Sequence, residues 1–227
     1  MDPSAAPVKR RYDATRRRAQ AADVRRRVLE VARDRFLADG YVATTVPEVA
    51  AAAGVSVEWV YKAVGRKPQL ALAVFHDGIA GPGAESTELR ADRISAGEPD
   101  PRRRLRAFGA FVAEVTPRVA PLMLLVRDAA GGDGELAAVW EQMLAERLSR
   151  MSAHAAQLAA DGHLRNGVTV EEARDVFWLY SAPELYDLMV QRRGWTPQRF
   201  GAWVGEAYVA ALLPAPPLPG PVSRAVR

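Results

Sequence analysis

The stretch Thr45–Lys67, TVPEVAAAAGVSVEWVYKAVGRK, constrains this chain more than any other, because its residues dictate two short helices and the turn between them. Thr45 and Glu48 stand in S/T-x-x-E spacing, so the hydroxyl can cap a helix while the carboxylate returns to the cap N–H. The spacing predicts a helix from Val46 to Ala53. Pro47 fits there, since first-turn N–H groups have no intrahelical partner. Gly54 supplies the positive φ of a tight stop. Ser56 can cap a second helix from Val57 to Val64, in which Val60 and Val64 share one face. Two short helices joined around a glycine are the arrangement that places a second helix in a DNA major groove. An unpartnered helical hairpin uses the same turn.

The company of this turn separates the two readings. Thr45, Val49, Ala50, Ala53, Gly54, Val55 and Ser56 fall on T-x-x-x-(I/V)-A-x-x-A-G-V-S. Tyr61, Lys67 and Leu70 fall on the Y-x-x-F-x-x-K-x-x-L segment that follows it. In these positions the chain resembles the N-terminal signature of the TetR family of bacterial regulators. Three positions depart from the family pattern. Val64 replaces a Phe that anchors packing, Arg66 replaces a small residue that caps the fourth helix, and Trp59 replaces a frequent Thr on the reading helix. Base specificity is therefore not carried over from any relative.

Charge agrees with a phosphate-facing head. Residues 1–67 hold 14 Lys and Arg against 8 Asp and Glu, whereas residues 68–227 hold 17 against 19. Positive charge collects where the helix-turn-helix lies, as a module that neutralises phosphates requires. At 227 residues the chain can bury one sizeable core and a small second domain. It has no cysteine, which excludes disulfides, thiolate metal sites and a cysteine nucleophile. With no run of 18 apolar residues and no apolar region behind the basic N-terminus, the expectation is a cytoplasmic protein without a membrane partner.

Residues 1–20, with Lys9–Arg11 and Arg16–Arg18, read as a basic flexible tail whose C-terminal part can extend the first helix. Such a tail either lies along a DNA backbone or enters a minor groove as an arm, or serves only as a disordered solubilising segment. A helix is expected from Ala21 to Asp39, with Val24, Val28, Val31, Ala32 and Phe36 at helical spacing and Gly40 at its end. It closes a small core over Val49, Val60 and Val64, giving a three-helix DNA-binding domain at residues 21–67. Tyr41 reads as packing. A fourth helix starts at Pro68 and ends between Gly78 and Gly83, and residues 81–101 read as a polar loop.

From Arg102 to Leu213 the pattern predicts five more helices and no strand. The first stops at Pro117, the second covers Val119–Ala130, and the third runs Glu135–Ala160. A fourth, capped by Thr169, carries on to Arg193 with a kink at Pro183, and the fifth starts at Thr196-Pro197. The fourth is apolar around most of its circumference, so it must be buried on two sides. The family resemblance implies that this closing pair of helices forms a homodimer. Residues 214–227 are Pro-rich and read as a disordered tail.

Enzyme and metal signatures are weak. No G-x-S-x-G, Walker A or Rossmann fingerprint occurs, and His76, His154 and His163 have no metal-ligand spacing, so no catalytic residue, metal or cofactor is expected. GGDGE at 131–135 superficially matches a cyclase signature but falls between two helices.

The expectation is an all-α chain: an N-terminal three-helix head and a helical body at residues 68–213 for effector binding and dimerisation. Thr45, Tyr61, Lys62 and Lys67 are the candidate phosphate contacts, Tyr61 and the lysines in part through the family motif. Val57, Glu58 and Trp59 are the candidate base readers. The resemblance implies a repressor released from a palindromic operator by a small-molecule effector. Phe111, Met123, Trp140, Met143, Phe177 and Trp178 are candidate pocket walls, with Arg127 and His154 as polar contacts. The same side chains can simply fill the core. A helical ligand-binding or scaffold protein without specific DNA binding, or a helical enzyme, are the rival readings.

Overall fold

The computed structural model describes residues 6–81, 90, 93 and 97–215, with side chains from residue 20 onward. The expected loop at 81–101 and Pro-rich tail at 214–227 lie largely outside these residues. Among the described residues every regular element is helical. They are α1 (Ala6–Asp39), α2 (Val46–Ala53), α3 (Val57–Ala63), α4 (Lys67–Ala80), α5 (Pro101–Ala130), α6 (Gly134–Ala160), α7 (Val170–Tyr180), α8 (Pro183–Tyr186) and α9 (Pro197–Leu212).

The chain forms two compact units. Residues 1–89 and 115–146 make the first, residues 90–114 and 147–227 the second. In the first unit, Leu70, Val74 and Phe75 of α4 are buried in one cluster with Val119, Leu122, Met123 and Val126 of α5 and Leu136 and Met143 of α6. Val28, Leu29, Ala32 and Phe36 of α1 join the same cluster, with Val49 and Val60 from the helix-turn-helix.

Three helix boundaries differ from those expected. α1 begins at Ala6 rather than Ala21, because nothing between Pro7 and Val24 breaks a helix and the Ala, Arg and Gln run favours one. α5 continues through Pro117 and Pro121 as a single 30-residue helix. Each proline removes one backbone donor, but Leu105, Phe108, Ala120, Leu122, Met123 and Val126 bury their side chains only if the helix stays continuous. By length and composition α5 is also apolar enough to cross a membrane, although these apolar residues are buried inside the protein. The helix expected over 170–193 is broken, not kinked. Ala182 precedes Pro183 and takes an extended conformation (φ −66°, ψ 136°), as a residue before proline prefers. Helical turns resume at α8 and widen to a six-residue π-helix at Asp187–Arg192, stopped by Gly194 at φ 69°.

In the second unit α5 and α9 cross in backbone contact. A Cβ on Gly109 would stand 2.3 Å from the Gly201 carbonyl oxygen, and one on Gly201 would stand 2.4 Å from that of Gly109. Arg104 is 5 % exposed and is paired with Asp161 at 2.6 Å, which offsets the cost of its burial. Around the crossing, Phe177 packs on Tyr208 with ring centroids 4.8 Å apart.

Candidate nucleic-acid interface

The reading element is built from its caps. Thr45 N–H and hydroxyl both donate to Glu48 Oε2 (2.9 and 2.8 Å), and Glu48 N–H donates to Thr45 Oγ1 at 3.4 Å. These bonds hold the Glu48 carboxyl below the usual carboxylate range. At the other end of α2, Gly54 adopts φ 69°, ψ 37° and its N–H returns to the carbonyls of Ala50 and Ala51. Ser56 Oγ then accepts from Trp59 N–H at 3.1 Å and starts α3. The turn expected from the sequence is therefore formed.

α3 is pinned by its inward side. Val60 is fully buried, and Val57, Trp59 and Val64 are half-buried against the same core. Glu58, Tyr61 and Lys62 occupy the i, i+3, i+4 face that is left exposed. Of the three candidate base readers, only Glu58 thus stands clear of the core. Val57 and Trp59 pack in part against the core and remain partly exposed. Val64 is half-buried against the core.

Tyr61, Thr45 and Lys67 line one groove, together with Arg66 and the α6 N-terminus at Asp133–Glu135. Lys67 Nζ sits 4.3 Å above the Tyr41 ring and donates to the Val42 carbonyl at 3.1 Å. Burial draws its pKa down, with Asp133 and Glu48 acting in the opposite sense. Tyr41 itself is 5 % exposed and stacks on Phe36 at 5.5 Å; burial raises its hydroxyl pKa. The aromatic residue that reads as packing is therefore also the platform for Lys67. Lys62 lies outside this groove, on the α3 surface.

Arg66 gives α4 no side-chain cap. Its Nη1 instead meets Glu135 Oε1 at 3.2 Å. Asp133 caps α6, accepting from Leu136 N–H at 3.1 Å, so the GGDGE segment is a helix-to-helix turn. Nothing in residues 45–67 announces that the carboxylates of Asp133 and Glu135 border this groove. The acidic D-x-E before an apolar helix was the only available signal.

The eight candidate effector residues divide between the units. In the first, Met123 and Met143 are fully buried in the shared core, Trp140 packs half-buried against it, and Arg127 is exposed beside Asp128 at 2.8 Å. In the second, His154 lies 4.5 Å from Phe108 and 6.1 Å from Phe177 by ring centroids, while Phe111 is half-buried. Trp178 is covered by the Arg147 guanidinium, 3.5 Å from its ring centroid.

Arg147 escaped the sequence reading, although it interrupts the apolar stripe between Leu144 and Met151. Its Nη1 donates to the Trp178 carbonyl (2.9 Å) and to Ser181 Oγ (3.1 Å), closing the end of α7. Burial lowers its pKa to about 10. Among the described residues, no three His, Cys, Asp or Glu side chains are grouped to hold a metal.

Comparison with known proteins agrees with this architecture. Residues 28–74 match the family described as bacterial regulatory proteins, tetR family. No curated protein matches the chain by sequence. A TetR transcriptional regulator from Chloroflexus aurantiacus is similar in structure at TM-score 0.61 and 18 % identity, covering 87 % of this chain and 100 % of that one. FadR from Bacillus subtilis, solved with stearoyl-CoA, is similar at TM-score 0.63 and 15 % identity over 81 % of this chain and 97 % of that one. The SmeT–triclosan complex is similar at TM-score 0.64 and 21 % identity over 87 % and 99 %. The chain therefore has the fold of a TetR-family transcriptional regulator, with that family's N-terminal domain at residues 28–74.

Proposed function

We propose that the chain is a DNA-binding repressor that reads a palindromic operator as a homodimer and leaves it when a small molecule binds the helical body. The observation that carries this reading is the outer face of α3. Glu58, Tyr61 and Lys62 are exposed on a helix whose other side is locked into the core, and the groove of Lys67 and Arg66, bordered by Asp133 and Glu135, lies beside it. Glu58 can accept from a cytosine amine, while Tyr61, Lys62 and Lys67 bind phosphates. Thr45 contributes less through its hydroxyl, which is already bonded to Glu48, than by fixing the start of α2.

Dimerisation is supported by the apolar surface of the last helices: Leu179, Leu188 and Trp203 remain 54 %, 49 % and 36 % exposed. A second copy covering them would bring two reading helices to successive major grooves, about 34 Å apart. The effector reading draws on the relatives solved with stearoyl-CoA and with triclosan. In this chain it draws on the ring cluster of Phe108, His154 and Phe177, with Phe111 and Trp178 in the same unit. Such a molecule must bind the DNA-released arrangement more tightly than the DNA-bound one.

The test is recovery and sequencing of genomic fragments retained by the full chain, followed by a small-molecule screen for their release. A shared palindrome held by two chains and freed by one compound class is the expected result. Retention of fragments without a common sequence would overturn the operator reading.

A further inference from the structure

The groove beside α3 carries an unusual charge balance for a surface that takes phosphates. Two cations, Arg66 and Lys67, and two carboxylates, Asp133 and Glu135, line it, so their formal charges cancel. All four residues belong to the first unit.

The two carboxylates differ in what they do. Asp133 is half-buried and its Oδ1 accepts from Leu136 N–H at 3.1 Å, which commits it to starting α6. Glu135 is exposed, and its Oε1 accepts from Arg66 Nη1 at 3.2 Å, a partner 69 positions upstream. A carboxylate in the first turn favours the helix dipole wherever its side chain points, so the dipole does not account for the reach to Arg66. Arg66 has no local task either. It gives α4 no side-chain cap, and its side chain is 74 % exposed.

Exposed ion pairs hold weakly, because water competes for both partners. The donor fork of a guanidinium fits phosphate as well as carboxylate, and a duplex brings its phosphates in a dense row. Once Tyr61 and Lys67 have seated that row, it outcompetes a single carboxylate. The groove wall also leaves room for it: Gly134 lies between the two acids, and a Cβ added there would meet no atom within 4 Å.

We propose that Glu135 occupies the place of a backbone phosphate on Arg66, and that DNA binding exchanges the carboxylate for the phosphate, making Arg66 a further phosphate contact of the head. This proposal rests on the DNA-binding reading of the head. Every seated duplex opens the same pair, so Glu135 sets affinity and leaves base preference to α3.

The experiment measures equilibrium binding of the parent chain, Arg66→Gln, Glu135→Gln and the double variant to the operator recovered by selection and to a scrambled duplex of equal length, across a salt series. Melting curves on all four proteins check that each is folded. Glu135→Gln tightens binding by roughly two- to five-fold, less at high salt. Arg66→Gln weakens binding and lowers the slope of log K against log salt by about 0.9, the share of one phosphate. With Arg66 replaced, the gain from Glu135→Gln shrinks, because no pair has to open. An unchanged slope in Arg66→Gln would overturn the exchange, since Arg66 would then stay on Glu135 in the complex. So would an equal gain from Glu135→Gln with and without Arg66, which would reduce Glu135 to a general repulsion. Failure of the parent chain to bind any duplex at low salt would instead remove the DNA reading on which the proposal rests.

Discussion

Gly201→Ala tests the packing of the second unit where it is tightest. The new Cβ would lie 2.4 Å from the Gly109 carbonyl oxygen and 2.5 Å from Ala113 Cβ. Carbon contacts normally settle at about 3.5–4.0 Å, so α5 and α9 must separate by roughly 1 Å. The obstructing atoms are backbone and a Cβ, which no rotamer change can move. Overpacking of this kind costs about 1–3 kcal/mol, and the absence of a flexible neighbour places Gly201 at the upper end. Ala recovers about 1 kcal/mol through its better helix propensity. The net expectation is a loss of about 2 kcal/mol, which for a chain of this size lowers the melting temperature by roughly 4–8 °C. Urea and thermal unfolding at one fixed protein concentration measure it. Gly134→Ala, at the open start of α6 with no atom within 4 Å, should shift the other way, gaining about 0.5–1 kcal/mol. Equal, stabilising shifts for both variants would refute the backbone contact between α5 and α9.

Further outcomes follow from the head. Thr45→Ala removes the cap of α2 and should cost about 1 kcal/mol in thermal unfolding at neutral pH. Glu48 is held below its ordinary value of 4.5, so its stabilising contribution is full above that pH and disappears as pH falls through the lowered native value. The deficit of Glu48→Gln against the parent protein should therefore shrink on acidification, read from melting curves across a pH series. Glu135→Gln releases Arg66 and removes a negative charge from the groove, and should tighten operator binding by roughly two- to five-fold, less at high salt. Arg147→Ala strips the ring cover from Trp178 and the donors from the end of α7, and should accelerate amide exchange over Leu179–Ser181.

The sequence was most readable where local chemistry decides. The capping box at Thr45–Glu48, the Thr169 cap and the Gly54 stop depend on residues within one helical turn, and all three occur as expected. Pro117 and Pro183 show where local rules part from tertiary ones. Both lie in apolar helices, yet α5 runs through the first and α7 ends before the second. Burial on both sides of Pro117 keeps α5 continuous, whereas Arg147 and Ser181 close the end of α7 before Pro183. The candidate site was legible to a similar degree. The four-residue spacing of Val60 and Val64 predicts which side of α3 packs, whereas the partial burial of Trp59 and the pairing of Glu135 with Arg66 depend on neighbours remote in sequence. The effector candidates were chosen as bulky residues in apolar stripes, a criterion that does not separate a core methionine such as Met143 from a cavity wall.

The central claim is that the outer face of α3 and the adjoining groove bind a specific duplex. Selection from a random duplex pool at one stated salt concentration, run side by side with the parent chain, Tyr61→Ala and Lys67→Ala, tests it most directly. The account predicts an enriched palindrome for the parent protein and weakened recovery of it by both variants, each variant retaining its melting transition. Enrichment of no sequence by the parent, or equal enrichment by all three proteins, would contradict it.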